Sequence, residues 1–179
     1  CEYVLASLDT AYTTKQENDP SALTIWGVFR DKSGNPKVIL LGAWEGRLPF
    51  HELVRVVGSM CTISKIADDK LSQYLGWLNK GTIKYREMPR FPVDRLIIEA
   101  KSAGISVRDE IKRFYGNTGE FGVELIDPAR IGGDKVNRLH AVSHLFEDEI
   151  VYAPDTNFAQ MTINNVSAFP KGAHDDLVD

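Results

Sequence analysis

Residues 93–100 read "VDRLIIEA": an apolar run with no in-out alternation, closed by an acid. A strand with one wet face alternates apolar and polar residues, whereas a strand of a parallel sheet is covered on both faces and reads as continuous Leu, Ile and Val. This stretch therefore predicts a buried strand whose neighbours are joined to it by helical crossovers. Glu99 stands at its C-terminal end, where open α/β sheets place their sites.

Working outward, the same grammar recurs. "EYVLASLD" (2–9) is a β-rich run that also ends in an acid, Asp9. "LTIWGVFRD" (23–31) and "KVILLGAWEG" (37–46) flank the turn "KSGNP" and form a hairpin. "FHELVRVVGSM" (50–60) has helical spacing at Leu53, Val54, Val57 and Met60, and "DDKLSQYLGWLNKG" (68–81) repeats it before the stop signal Gly81. Beyond the central strand, Ser106 and Asp109 suggest a capping box for a helix with Val107, Ile111 and Phe114 on one face, ending at Gly116. "FGVELID" (121–127) is a strand, and "GDKVNRLHAVSHLFEDE" (133–149) a helix with Val136, Leu139, Val142 and Phe146 in one stripe and Lys135 and Arg138 off it. "IVYAP" (150–154) is a short strand and "TNFAQMTINNVSAF" (156–169) a helix. The order predicts α/β architecture: a mixed β-sheet with helices on both faces.

Composition narrows the class. With 179 residues, 43% of them hydrophobic, the chain fits one domain spanning 1–179. It contains neither a long apolar run for a membrane span nor the grammar of a signal peptide, so no membrane role and an intracellular setting are expected. Two cysteines, Cys1 and Cys61, provide neither a disulfide framework nor a zinc site. A net charge of -4 gives no global basic footprint, so DNA would have to be met by a local patch. The start at Cys1, without methionine, suggests a piece of a longer protein.

The acids carry the chemistry. Asp9 and Glu99 close strands, and "GAHDDLVD" (172–179) places Asp175, Asp176 and Asp179 in a last helix beside His174. If that helix crosses the two strand ends, carboxylates distant in sequence converge. Their repulsion calls for hard divalent cations, and oxygen-only donors suit Mg2+ or Mn2+. Two such ions about 3.5 to 4 Å apart serve in-line phosphoryl displacement. The plainer alternative is that Asp175 caps a helix, Asp9 forms a turn and Glu99 is a surface acid.

Four segments, "SLDTA", "LIIEAKSAG", "GDKVNRLHAVSHLFEDEIVYAP" and "HDDLVD", together resemble, in order, the nuclease domain of tailed-phage (bacteriophage) terminase large subunits. Those viral proteins package DNA and cut the concatemer. The resemblance implies a ribonuclease H-like fold and a metal-dependent endonuclease, with Asp9, Glu99 and Asp176 as catalytic metal ligands of two Mg2+ or Mn2+ ions. It makes Asp179 auxiliary, as in the similar Holliday-junction resolvases, leaves Asp175 at the edge of the metal site, and implies double-stranded DNA, portal and small terminase subunit as partners in the host cytoplasm. It also implies an ATPase motor domain elsewhere in a full-length protein, since no G-x-x-x-x-G-K-[ST] motif occurs here.

Lys101, Lys135 and Arg138 are candidate DNA contacts, Lys101 and Lys135 because they lie within matching motifs; the alternative is a solvated helix face. His174 is a candidate auxiliary group for orienting water, or else a loop histidine. Thr13, Thr14 and Lys15 follow Asp9 in a loop that could touch a strand backbone, and residues 61–90 match no motif. Two rival functions remain open: a junction resolvase of the same fold, and a module that docks DNA or the portal without cutting.

Overall fold

The computed structural model describes residues 1–11, 20–62, 92–100, 102–115, 121–127, 130 and 134–171. Their elements are β1 (Tyr3–Asp9), β2 (Ser21–Arg30), β3 (Pro36–Gly46), α1 (Phe50–Cys61), β4 (Arg95–Glu99), α2 (Ser102–Tyr115), β5 (Gly122–Ile126), α3 (Lys135–Glu147), β6 (Val151–Tyr152) and α4 (Asn157–Ala168). The six strands form one sheet in the order β5-β4-β1-β2-β3-β6. β1, β2 and β3 are an antiparallel meander, while β4 joins β1, β5 joins β4 and β6 joins β3 in parallel. The mixed sheet read from the sequence is the observed one.

The predicted hairpin forms because the "KSGNP" turn satisfies its own backbone. The Asp31 carboxylate accepts from Ser33 N (2.8 Å) and Asn35 N (2.9 Å), and Gly34 adopts φ 86°, open to glycine without steric cost. The Asn35 amide is the main reason the Asp31 carboxyl titrates below the ordinary range.

Each face of the sheet has its own core. Val4, Ala6 and Leu8 of β1, Leu23 and Ile25 of β2, and Leu96 and Ile98 of β4 point to one face, where Leu53, Val57, Val107 and Ile111 of α1 and α2 cover them. Side chains this well buried stabilise by about 1.5–3 kcal/mol each. On the other face Ala22, Leu40 and Ala43 meet Phe158 and Ala159 of α4. α1 and α2 approach closely at Gly58, where a Cβ would stand 2.2 Å from the Tyr115 ring.

Several expectations need correction. β4 alternates in burial: Leu96 and Ile98 are buried, while Ile97 and Glu99 are half-exposed, because α4 lies over β2 and β3 and leaves this part of the second face less covered. α2 begins at Ser102, four residues before the predicted cap, so Ser106 lies inside the helix. The expected short strand at 150–154 forms as β6, which pairs with β3 at the opposite edge of the sheet from β5. The expected helix at 133–149 forms as α3, and none of its residues is buried. The expected helix at 68–81 and the residues Thr13, Thr14 and Lys15 lie outside the described residues.

Candidate active site

Asp9 and Glu99 end adjoining parallel strands. The register runs from Leu5↔Arg95 to Leu8↔Ile98, and one further step on each strand reaches Asp9 and Glu99. Leu8 and Ile98 point into the core beneath α1 and α2, so by strand alternation the two carboxylates both stand on the opposite face, the side of α4. Both are half-buried. Glu99 Oε2 is screened from solvent and accepts no hydrogen bond among the described residues, although the Glu99 side chain, like Asp9, does engage another group.

Local packing fixes both strand ends. Beyond Asp9 the Ala11 amide donates to Ser21 Oγ at 2.9 Å, and Ser21 is buried at the start of β2. Beyond Glu99 the Ala100 amide donates to Ile126 O at 2.8 Å, tying the chain to β5. Gly104, in the first turn of α2, lies against the same place: a Cβ there would come within 2.1 Å of the Glu99 carbonyl oxygen and 2.9 Å of Ile98 Cγ2. Only a residue without Cβ lets α2 start so close behind β4.

One carboxylate that the sequence did not single out stands in the same row. Asp9 pairs with Ala22, and Ala22 with Glu45 of β3, so Glu45 faces the same side two strands away, about 10 Å by Cα at ordinary strand spacing. Its signal was available, since "AWEG" also sets an acid near a strand end. Nothing in the sequence marked Ser21. Among the described residues no group of three or more His, Cys, Asp or Glu side chains converges as a metal cluster. His174, Asp175, Asp176, Asp179 and Lys101 lie outside the described residues.

Lys135 and Arg138 open α3, both half-buried and both engaged in interactions. α3 and α4 border a cleft floored by Thr24, Trp26 and Leu40. Thr24 is two residues from Ala22 on β2, so the two cations belong to a helix on the carboxylate face. Cys61 is no part of this site, for it is buried in the other core and burial pushes its thiol far up.

No protein-family model matches the sequence, and no curated protein matches it. Among solved structures, the human cytomegalovirus terminase nuclease domain is similar with a TM-score of 0.57, at 14% identity over 98% of this chain and 78% of that one. The fowlpox virus Holliday junction resolvase aligns at TM-score 0.42, with 17% identity over 98% of this chain and 90% of that one, and its complex with Holliday junction DNA at 0.43. The mixed sheet, its strand order and the flanking helices thus give this chain the ribonuclease H-like fold, in a form similar to that of the cytomegalovirus terminase nuclease domain.

Proposed function

We propose that this chain is a metal-dependent DNA endonuclease that cuts concatemeric viral DNA during genome packaging, with little sequence preference. The observation that carries the reading is the pair Asp9 and Glu99, side by side on one face at the ends of two parallel strands. An inert DNA-binding surface has no use for paired anions facing phosphate, whereas a hydrolytic site does once cations are bound.

The donors present fit that group. Asp9 and Glu99 offer hard oxygen ligands from rigid strands, which suits Mg2+ or Mn2+ over zinc. Asp176 would complete the set, with Asp179 as auxiliary ligand, Asp175 beside them and His174 as the auxiliary group for water. Bound divalent ions supply water activation and charge neutralisation at the phosphate. The chain's own part is positioning: the strands hold two carboxylates in fixed register, and Lys101, Lys135 and Arg138 would place the DNA backbone by phosphate contacts. No described element reads as a base-edge reader, which agrees with low specificity. By the family resemblance the wider setting is the host cytoplasm, with portal, small terminase subunit and ATPase motor as partners. No helix among the described residues is long and apolar enough to cross a membrane.

The test is direct. Supercoiled plasmid incubated with the chain and Mn2+ should be nicked and linearised, and chelator should stop the reaction. Intact plasmid at every Mn2+ concentration would leave a docking module as the better reading. A strong preference for four-way junctions over linear duplex would move the assignment to a resolvase.

A further inference from the structure

On the side of the sheet away from Asp9 and Glu99, α1 and α2 border a pocket of about 420 Å³, a size that takes small ligands. The two helices touch where Gly58 meets Tyr115, and the pocket opens beside that contact, between the first two turns of α1 and the last two of α2. Phe50 (43%) and Phe114 (60%) stand exposed at it. The sequence sets Phe114 on one face with Val107 and Ile111, yet those two are buried, and Phe114 is the most exposed large hydrophobic side chain among the described residues.

Two rings alone would mark only an apolar patch; the polar groups beside them narrow what they take. Arg113 Nε stands 3.0 Å from Glu110 Oε2, an ion pair rather than an aligned hydrogen bond, and its guanidinium lies 4.8 Å from the centroid of the Phe114 ring. Held in this way, the guanidinium leaves both terminal nitrogens without a partner among the described residues. Such a fork of N–H donors suits a phosphate. Glu110 also keeps one oxygen in reserve: Oε2 is screened, while Oε1 has neither cover nor a partner among the described residues. Arg55, itself engaged, and His51, 3.7 Å from Glu52, add donors at the rim.

We propose that this pocket binds one unpaired nucleotide. Its base stacks on Phe50 and on the face of Phe114 that Arg113 leaves open, its exocyclic amine donates to Glu110 Oε1, and its phosphate rests on Arg113. Aromatic rings and guanidinium planes are the surfaces on which unstacked bases settle. Each kind of group in the pocket then has a use. An acidic aromatic peptide would suit the rings and the guanidinium but would set an anion against Glu110, and a plain apolar ligand would leave both charges idle. The nucleotide is either free or part of an unpaired DNA strand, and both share this chemistry. A paired, stacked base cannot enter, so duplex cutting keeps its low sequence preference. The site lies on the other face from the paired carboxylates and does not rest on nuclease activity.

Fluorescence anisotropy of the 179-residue chain with labelled oligo-dC and oligo-dT of about twelve nucleotides, in chelator so that nothing is cut, tests it. Cytosine carries an exocyclic amine and thymine none. Oligo-dC should therefore bind about fivefold more tightly, and in Glu110→Ala the two should bind alike. Phe50→Ala combined with Phe114→Ala should weaken both by at least about tenfold, the usual weight of a stacked base, whereas Phe50→Trp with Phe114→Trp should keep the affinity. Both rings are exposed, so these changes leave the core intact. Unlabelled dCMP separates the two sources: displacement marks a free nucleotide as sufficient, and its failure beside displacement by unlabelled oligo-dC marks a DNA strand. Equal affinity of the unaltered chain for oligo-dC and oligo-dT, unchanged binding by the double alanine variant, or stronger displacement by a peptide of Glu and Phe than by oligo-dC would each overturn the proposal.

Discussion

Two anions that close neighbouring strands repel, and a fold keeps them there only where something offsets the repulsion. Glu99→Gln removes one charge while keeping size and shape. It should abolish plasmid cleavage and leave the melting temperature equal or higher without metal; cutting at the wild-type rate would remove Glu99 from the site. Gly104→Ala tests how the site is held. The added methyl meets the Glu99 backbone, so the first turn of α2 must shift, at about 1–3 kcal/mol for overpacking. Melting should fall by several degrees and Mn2+ affinity with it, whereas unchanged metal binding would mean that α2 yields without moving Glu99. At the chain's end the adjacent acids should separate. Asp176→Asn is expected to eliminate cleavage at every metal concentration and Asp175→Asn to lower it partly, because asparagine still caps a helix; the reverse result would shift the ligand back by one residue. Asp9 and Glu99 were legible in the sequence because each closes an apolar run. Their adjacency was not, because strand register arises from pairing between segments about ninety residues apart in the chain, of which neither carries a mark.

The hairpin of β2 and β3 was legible because its turn is a local device: Asp31, Gly34 and Asn35 satisfy one another within five residues. The start of α2 was misread for the opposite reason. Its capping signal at Ser106 is local, but the boundary is set by packing against β4, which no local pattern records. The α3 stripe could be read as a shared face but not as buried or exposed, because periodicity shows which residues share a face and says nothing of what covers them. A further joint between elements is testable. Asp94, just before β4, accepts the Val4 amide on Oδ2 at 2.7 Å, donates its own amide to Val4 O at 2.8 Å and accepts the Gly122 amide at 2.9 Å, so one residue ties β1, β4 and β5 at their starts. Asp94→Ala leaves a part-buried Val4 amide without its side-chain acceptor and should destabilise by about 1–3 kcal/mol, while Asp94→Asn keeps an acceptor and should lose less. Equal losses in chemical denaturation would show that charge, and not the hydrogen bond, matters there.

Across the whole molecule the charge balance opposes the proposed substrate. At a net charge of -4, duplex DNA is repelled at long range, and attraction depends on a few cations near the carboxylate face. Each phosphate neutralised contributes a slope of about 0.9 to the fall of log affinity with log salt. A chain making two to four such contacts should therefore bind weakly at physiological salt and lose affinity as salt rises, though less steeply than large DNA-binding proteins. Lys135→Ala should lower affinity about equally for duplexes of any sequence and reduce the salt slope by about one contact, as removal of a phosphate ligand does. Fluorescence anisotropy with two unrelated duplexes, read at several salt concentrations with calcium in place of manganese to prevent cutting, measures both quantities at once. If the loss differs between the duplexes, Lys135 reads bases, and the low specificity argued from the fold is wrong. If neither affinity nor slope moves, Lys135 serves only α3 and its contacts, and the DNA path must run along the other side of the paired carboxylates.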